Sequence, residues 1–249
     1  HDALPISQVK YGADHIKYVA TGGVLSMTAT GIGQQFTDEE QIALVEAAHA
    51  MGRKVAAHAH GKIGMEAALR AGVDSIEHGS FLDAETADLF VATGAYLVPT
   101  LIAGHTVERI ATERPEFYVP EVRQKAIEVG PIMKTALRTA YEKGVKIAFG
   151  TDAGVNDHGT NAYEAVLMNE AGMPERAILI SATINAAELI GITDITGTIE
   201  VGKDADIIAV GGNPLEDIST LLQPSYVMVR GNEVDLDVPP VNLFPWPDI

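Results

Sequence analysis

The spacing of hydrophobic residues alternates between two periods along the chain. Short apolar or β-branched runs, which predict buried strands, are each followed by a longer segment with helical spacing. The predicted strands lie at 15–20, 54–58, 73–77, 95–98 and 145–149. Strands that alternate with helices in this way are typical of β/α units arranged around a parallel sheet.

The intervening segments carry helix signals of different clarity. The clear predicted helices lie at 39–51, 63–70, 84–93, 121–143, 162–171 and 174–190. Asp38 is the expected N-cap of the first, and Pro174 is expected in the first turn of the last. The segment 100–120 contains Pro115 and Pro120 and is expected to be partly irregular.

Beyond residue 191 the pattern changes to short strands separated by Gly, Pro and Asn turns, at 198–203, 205–210 and 226–231. A closed (β/α)8 barrel needs eight strands, so five predicted strands indicate a partial barrel that lacks three strand–helix units. An open, doubly wound five-stranded sheet fits the same pattern and stays an alternative.

The predicted organisation has four parts. Residues 1–7 are expected to be a non-native leader, since their codons can resemble the end of a common sequencing adapter. Residues 8–190 form the carboxyl-terminal part of the barrel, residues 191–235 form part of a small β domain, and residues 236–249 form an irregular tail.

Composition narrows the possible partners. The chain has 34 acidic and 17 basic residues and a net charge of −17, which argues against binding to nucleic acid or to an anionic membrane. No apolar run approaches the roughly 20 residues that span a bilayer. Cysteine is absent, which excludes disulfides and thiolate zinc sites, so any metal must be held by His, Asp, Glu or Lys.

Five polar residues lie in predicted strands or just past their carboxyl ends, where β/α barrels build active sites. Lys17 interrupts an apolar strand, and an exposed strand lysine is its simpler explanation. His58 and His60 share one face of a strand and could hold zinc or be a structural pair. His78 could be a loop or capping residue, and Asp152 could be an N-cap. Their recurrence at successive strand ends favours one shared site.

With these residues the chain resembles the amidohydrolase superfamily, in its branch of imidazolonepropionase-like proteins and prolidase-type dipeptidases. The matching segments are 12–17, 20–24, 55–61, 75–79, 149–154, 185–191 and 197–206. The resemblance covers nearly everything from residue 12 to about residue 234.

The resemblance implies a (β/α)8 barrel of which this chain holds strands four to eight, with part of a small β-sandwich domain. It implies two zinc ions bridged by a carboxylated Lys17. His58 and His78 would bind the second metal, and Asp152 would bind the first and shuttle a proton. His60 occupies the place where some relatives carry a tyrosine that steadies the oxyanion. The HxH pair of the first barrel strand has no counterpart here, so the chain alone is expected to be inactive and poorly stable.

The substrate is expected to lie against Gly22, Gly23 and His158, the last also explicable as a plain loop histidine. His105 and Arg109, in the segment 100–120, are weaker candidates for substrate contact. The implied substrates are small molecules, with dipeptides or N-acyl amino acids foremost.

Three other functions stay open. A mononuclear cyclic-amide hydrolase or deaminase would not need Lys17. A non-enzymatic barrel relative would not need four intact ligand positions. An open-sheet binding protein lacks support, since no G-x-G-x-x-G follows a strand. A cytoplasmic location is favoured, a homo-oligomer is compatible with the sequence, and the substrate and the metal identity are not specified.

Overall fold

The computed structural model of the chain describes residues 3–237. Five strands form one parallel sheet: β1 (His15–Val19), β2 (Lys54–Ala59), β3 (Ser75–His78), β4 (Tyr96–Val98) and β5 (Lys146–Ile147). Their spatial order is the same as their order in the chain. A doubly wound sheet reverses its strand order at a switch point, so this singly wound order supports the partial barrel and excludes the open-sheet alternative.

The helices cover one face of this sheet. They are α1 (Ala3–Lys10), α2 (Asp38–Ala50), α3 (Lys62–Ala71), α4 (Ala84–Thr93), α5 (Leu101–Glu113), α6 (Pro120–Glu142), α7 (Tyr163–Glu170), α8 (Glu175–Ile180) and α9 (Ala186–Ile190). The core between sheet and helices contains fully buried Phe90, Met65, Ile76, Leu97 and Leu137. Burying these apolar side chains between two layers is what stabilises the fold.

Local signals fix several helix ends. Thr37, rather than the predicted Asp38, caps α2, because its hydroxyl accepts the Glu40 N–H while the Glu40 carboxylate accepts the Thr37 N–H. Gly72 ends α3 in the left-handed conformation that glycine adopts without strain.

Three predicted elements differ from the structure, two of them only in detail. The segment 100–120 holds α5, a regular helix that ends at Glu113, so Pro115 lies beyond it and Pro120 starts the next helix. Pro174 is an N-cap, and residues Ser181–Asn185 form a π-helical turn between α8 and α9.

The third is the strand predicted at 198–203. Its backbone pairs with no strand among the described residues, and Ile199 and Val201 are exposed. Apolar alternation alone does not make a strand when no neighbour completes the ladder.

The remaining strands form a small antiparallel sheet of β6 (Ile207–Val210), β7 (Pro224–Val229) and β8 (Asn232–Glu233). A 3-10 turn at Ile218–Leu222 precedes β7, and Ile218 joins the main core. Most of the predicted tail and the first two residues lie outside the described part of the chain.

The strand register defines the second face of the parallel sheet. Lys17 pairs with Ala56, Val19 with His58, and His58 with Glu77, so Lys17, His58 and Glu77 point to the face opposite the helices. Lys17 is exposed, in line with the simpler explanation of an exposed strand lysine, because no described residue covers this face beside β1. Burial therefore does not argue for a chemically altered Lys17, which lies near enough to His58 to lower the pKa of that imidazole.

Candidate metal centre

Three histidines converge at the carboxyl ends of β2 and β3. The ring centroids of His58, His60 and His78 lie 4.6–4.8 Å apart, and one nitrogen of each ring lies within 4.8 Å of the others. His58 and His60 are brought together as the strand alternation predicts. Asp152 lines the same cavity, so four of the five candidate residues meet at one place.

Each histidine has one nitrogen held by a neighbour. The Nδ1 of His60 lies 2.8 Å from the Ser80 hydroxyl, and the Nδ1 of His78 lies 2.6 Å from the Thr100 hydroxyl. His58 has a hydrogen bond to the backbone of Gly22, while its buried Nε2 has no partner among the described residues. A ring that is oriented through Nδ1 and free at Nε2 is the usual arrangement of a metal-binding histidine.

The three imidazoles are held in the neutral form. Burial lowers the pKa of His58, with a further contribution from Lys17. Burial also lowers the pKa of His60 to about 3 and the pKa of His78 well below its usual value, and the mutual proximity of the rings adds to both shifts. Because a metal binds only the unprotonated nitrogen, these electrostatics fit a borderline cation such as zinc.

Backbone strain is concentrated at the same strand ends. Among residues 3–237, four non-glycine residues have positive φ, and three of them are His78 (74°), Thr100 (48°) and Asp152 (53°). Such a conformation costs of order 1–3 kcal/mol and tends to persist at functional sites. The alternation of β3 would point His78 to the helix side with Ile76, and its left-handed backbone instead turns the ring toward His58 and His60.

The loop after β1 closes one side of the centre. A Cβ added to Gly23 would lie 3.5 Å from the free Nε2 of His58, so glycine keeps the space in front of that nitrogen open. The Lys125 ammonium donates to the carbonyls of Gly23 and Ser26 and holds the loop in place. No sequence pattern pointed to Lys125, which lies on α6 and contacts this loop only in the folded chain.

Two of the residues expected to bind substrate, Gly22 and His158, do not line this cavity, although the Gly22 backbone contacts His58. A Cβ on Gly22 would collide with the Gly31 carbonyl, so Gly22 serves loop packing and does not line the cavity. His158 is exposed and lines neither this cavity nor its neighbour. Sequence position alone could not distinguish Gly22 and His158, which do not line the cavity, from Gly23, which does.

The weaker candidates His105 and Arg109 line a second cavity of about 440 Å³ that shares Val155 with the first. Arg109 Nε and Asn156 Oδ1 are buried there without hydrogen-bond partners among the described residues. This cavity adjoins the histidine centre but contains none of its nitrogens.

Sequence reasoning also missed Glu77 and Glu164. Glu77 points to the sheet face opposite the helices and accepts a hydrogen bond from Ser75 at 2.7 Å. Burial raises its pKa. Glu164 is fully buried and accepts the backbone N–H groups of Leu101 and Ile102 at 2.8 and 2.6 Å. The signal available for Glu164 was a glutamate within a mostly apolar predicted helix. A glutamate that packs into the core is rarely found without a partner.

A singly wound β/α sheet with a histidine centre at its carboxyl edge is the arrangement of a barrel-type metal hydrolase. The amidohydrolase family model matches residues 3–234, and the chain belongs to this family.

Curated relatives include ochratoxinase from Aspergillus niger, 36% identical over 222 residues, which make up 88% of this chain and 45% of that protein. An uncharacterised protein of Mycobacterium tuberculosis is 27% identical over 92% of this chain and 60% of its own length. The chain thus spans about half the length of the curated relatives it matches.

Solved structures agree with the fold. A Xaa-Pro dipeptidase with methionine bound in its active site superposes with a TM-score of 0.90 at 50% identity, over 94% of this chain and 57% of that one. The ochratoxinase structure gives a TM-score of 0.77 at 35% identity, over 91% of this chain and 52% of that one. In the part of the chain that the structure describes, no helix is long and apolar enough to cross a membrane.

Proposed function

We propose that this chain is part of a metal-dependent hydrolase that cleaves amide or peptide C–N bonds in dipeptides or N-acyl amino acids. The observation that carries the proposal is the cluster of three neutral histidines beside Asp152, of which His60 and His78 have Nδ1 engaged by a hydroxyl group and His58 has a free Nε2. The dipeptidase and amide-hydrolase relatives support the same chemistry.

The metal ligands in this proposal are His58, His78, Asp152 and a carboxylated Lys17 that bridges two zinc ions. When bound, such ions make a hydroxide nucleophile available near neutral pH and polarise the substrate carbonyl. The neutral imidazoles and the unpartnered His58 Nε2 fit this role. The HxH ligands expected for the first metal would come from sequence upstream of this chain, so activity is proposed for the whole protein.

The chain's own groups have distinct tasks. Asp152 faces the cavity from a strained backbone position and is proposed to take a proton from the attacking water and return it to the leaving nitrogen. His60 is proposed to donate a hydrogen bond from Nε2 to the oxygen that gains negative charge. That role requires the Ser80 hydroxyl to donate to His60 Nδ1, which fixes the proton on Nε2. Gly23 leaves room for the substrate, and contacts to Gly22 and His158 remain predictions.

A mononuclear cyclic-amide hydrolase or deaminase is the second candidate. The close cluster of His58, His60 and His78 could hold a single metal without the exposed Lys17. An imidazolonepropionase of Thermoplasma acidophilum is 32% identical over 115 residues, or 41% of this chain. In this alternative His60 is a ligand and Lys17 has no catalytic part.

The proton-shuttle role is tested by Asp152→Asn in the whole protein, assayed against a panel of dipeptides and N-acyl amino acids. We expect kcat to fall by about 10²- to 10⁴-fold, because an amide cannot accept the proton. Asp194→Asn, which changes an exposed carboxylate remote from the barrel strands, is the matched control. An Asp152→Asn variant that keeps the parent rate would refute the assignment.

A further inference from the structure

The cavity in front of the histidines is lined mostly by apolar groups, with the histidines, Asp152 and Ser26 as its polar side chains. It has a volume of about 160 Å³ and is bordered by the loop after β1 and by helices α5 and α6. The rest of the wall is formed mainly by the apolar side chains of Val24, Leu25, Ala103, Val107, Val129 and Met133. Among the described residues that line the cavity, Asp152 is the only one with a charged carboxylate or ammonium group, and its charge acts on His58.

The apolar wall discriminates between substrate groups by their polarity and by their size. A charged or hydrogen-bonding group pressed against it would lose water and gain no partner, which is costly. An apolar group would gain by leaving water. A benzene molecule fits an apolar cavity of roughly 150 Å³, so the volume suits one branched aliphatic, thioether or phenyl side chain.

Gly104 keeps this space open. A Cβ on Gly104 would lie 2.3 Å from the Met133 sulfur, and Met133 is itself a cavity wall. The two helices also touch at Gly130, where an added Cβ would lie 3.0 Å from the Gly104 carbonyl oxygen. Since the backbones are already close, a methyl group at residue 104 would have to displace the Met133 side chain and so change the shape of the cavity that it lines.

We propose that this cavity is the specificity pocket for one large apolar side chain of the substrate, adjacent to the bond that is cleaved. The inference rests on the proposed function and names its substrate class: dipeptides or N-acyl amino acids that carry a leucine-, methionine- or phenylalanine-like group. Substrates with an acidic or basic group at that position are excluded.

The test compares two dipeptide series, Xaa-Ala and Ala-Xaa, with Xaa as Ala, Leu, Met, Phe, Asp or Lys, in the zinc-loaded whole protein. In one series we expect kcat/KM for Leu, Met and Phe to exceed that for Asp and Lys by at least about tenfold, the scale on which apolar pockets discriminate. Gly104→Ala should reduce the Phe-to-Ala preference by about tenfold or more.

A double variant separates a blocked pocket from a damaged fold. Met133→Ala in the Gly104→Ala background removes the displaced thioether and should restore the Phe preference. Gly211→Ala, whose added Cβ meets nothing within 4 Å, is the matched glycine control. Equal losses for all substrates in Gly104→Ala, without rescue by the second change, would overturn the proposal.

A binding measurement distinguishes failure of the pocket from failure of the proposed function. Ligand-observed NMR with N-acetyl-L-phenylalaninamide and N-acetyl-L-aspartamide requires no turnover. Binding of the phenyl ligand that Gly104→Ala weakens at least about tenfold, without hydrolysis of any dipeptide, would keep the pocket and reject the hydrolase. Equal binding of both ligands, or binding unchanged in Gly104→Ala, would reject the pocket.

Discussion

At the scale of single residues, the site depends on side chains whose direction is set by unusual backbone. Residue types at strand ends were enough to predict His58, His60, His78 and Asp152 as neighbours. The left-handed backbone of His78 could not be predicted, because it depends on tertiary contacts around the turn. The hydroxyls that hold the rings, on Ser80 and Thr100, lie in loops for which hydrophobic periodicity has no signal.

The role of His60 can be separated from that of a ligand. If His60 donates to the oxyanion, His60→Ala should lower kcat by about 10²- to 10³-fold and leave the metal content unchanged. His60→Gln retains a donor and should recover part of the rate. Steady-state kinetics and elemental analysis of the same preparations provide the two readouts.

The comparison needs two reference variants. His49→Ala removes an exposed histidine that pairs with Asp74 on the helix side of the sheet, and should change neither quantity. His58→Ala should lose metal. A His60→Ala protein that loses metal as completely as His58→Ala would make His60 a ligand and favour the mononuclear alternative.

At the scale of elements, hydrophobic spacing predicted all five parallel strands and most helices to within a few residues. It did not predict helix α5, because Pro115 and Pro120 indicated irregular structure, which is confined to residues 114–119 after the helix ends. It also failed at 198–203, since strand formation needs a partner that the spacing does not specify. The site elements were predictable because each strand end carries its own polar residue.

The start of α5 links a buried carboxylate to the metal centre. Glu164 accepts the first N–H groups of α5, and the preceding Thr100 meets His78. Glu164→Gln leaves one amide NH₂ facing a buried N–H, which should lower the free energy of unfolding by about 1–3 kcal/mol. Urea denaturation of both proteins measures the difference.

The same variant has a defined pH dependence. Burial raises the pKa of Glu164 from 4.5 to about 8, against the effect of its two N–H bonds. Between these values the folded state binds more protons than the unfolded state, so the stability contribution of Glu164 falls as pH rises. The loss caused by Glu164→Gln should therefore be larger at pH 5 than at pH 8.

Glu170→Gln, on the same helix but exposed and paired with Lys134, is the control and should show no such trend. A stability difference between Glu164→Gln and the parent that grows from pH 5 to pH 8 would contradict this account.

At the scale of the whole molecule, the singly wound sheet separates a helix-covered face from a face that carries the chemistry. Alternating strands and helices predicted β/α units, but periodicity could not choose between a partial barrel and a doubly wound sheet. The spatial strand order and the family match decide this. The face opposite the helices carries Lys17, His58 and Glu77. The binuclear and mononuclear proposals differ most in the role they give to the exposed Lys17.

The most direct test is the metal content of the whole protein, expressed with its upstream sequence and measured by elemental mass analysis. Lys17→Ala is compared with Lys54→Ala, which removes another lysine from the same face, one that donates to the Glu188 carbonyl. The account predicts about two zinc ions per chain, a sharp fall in Lys17→Ala and no change in Lys54→Ala. One metal per chain that is unaffected by Lys17→Ala would contradict the carbamate-bridged centre.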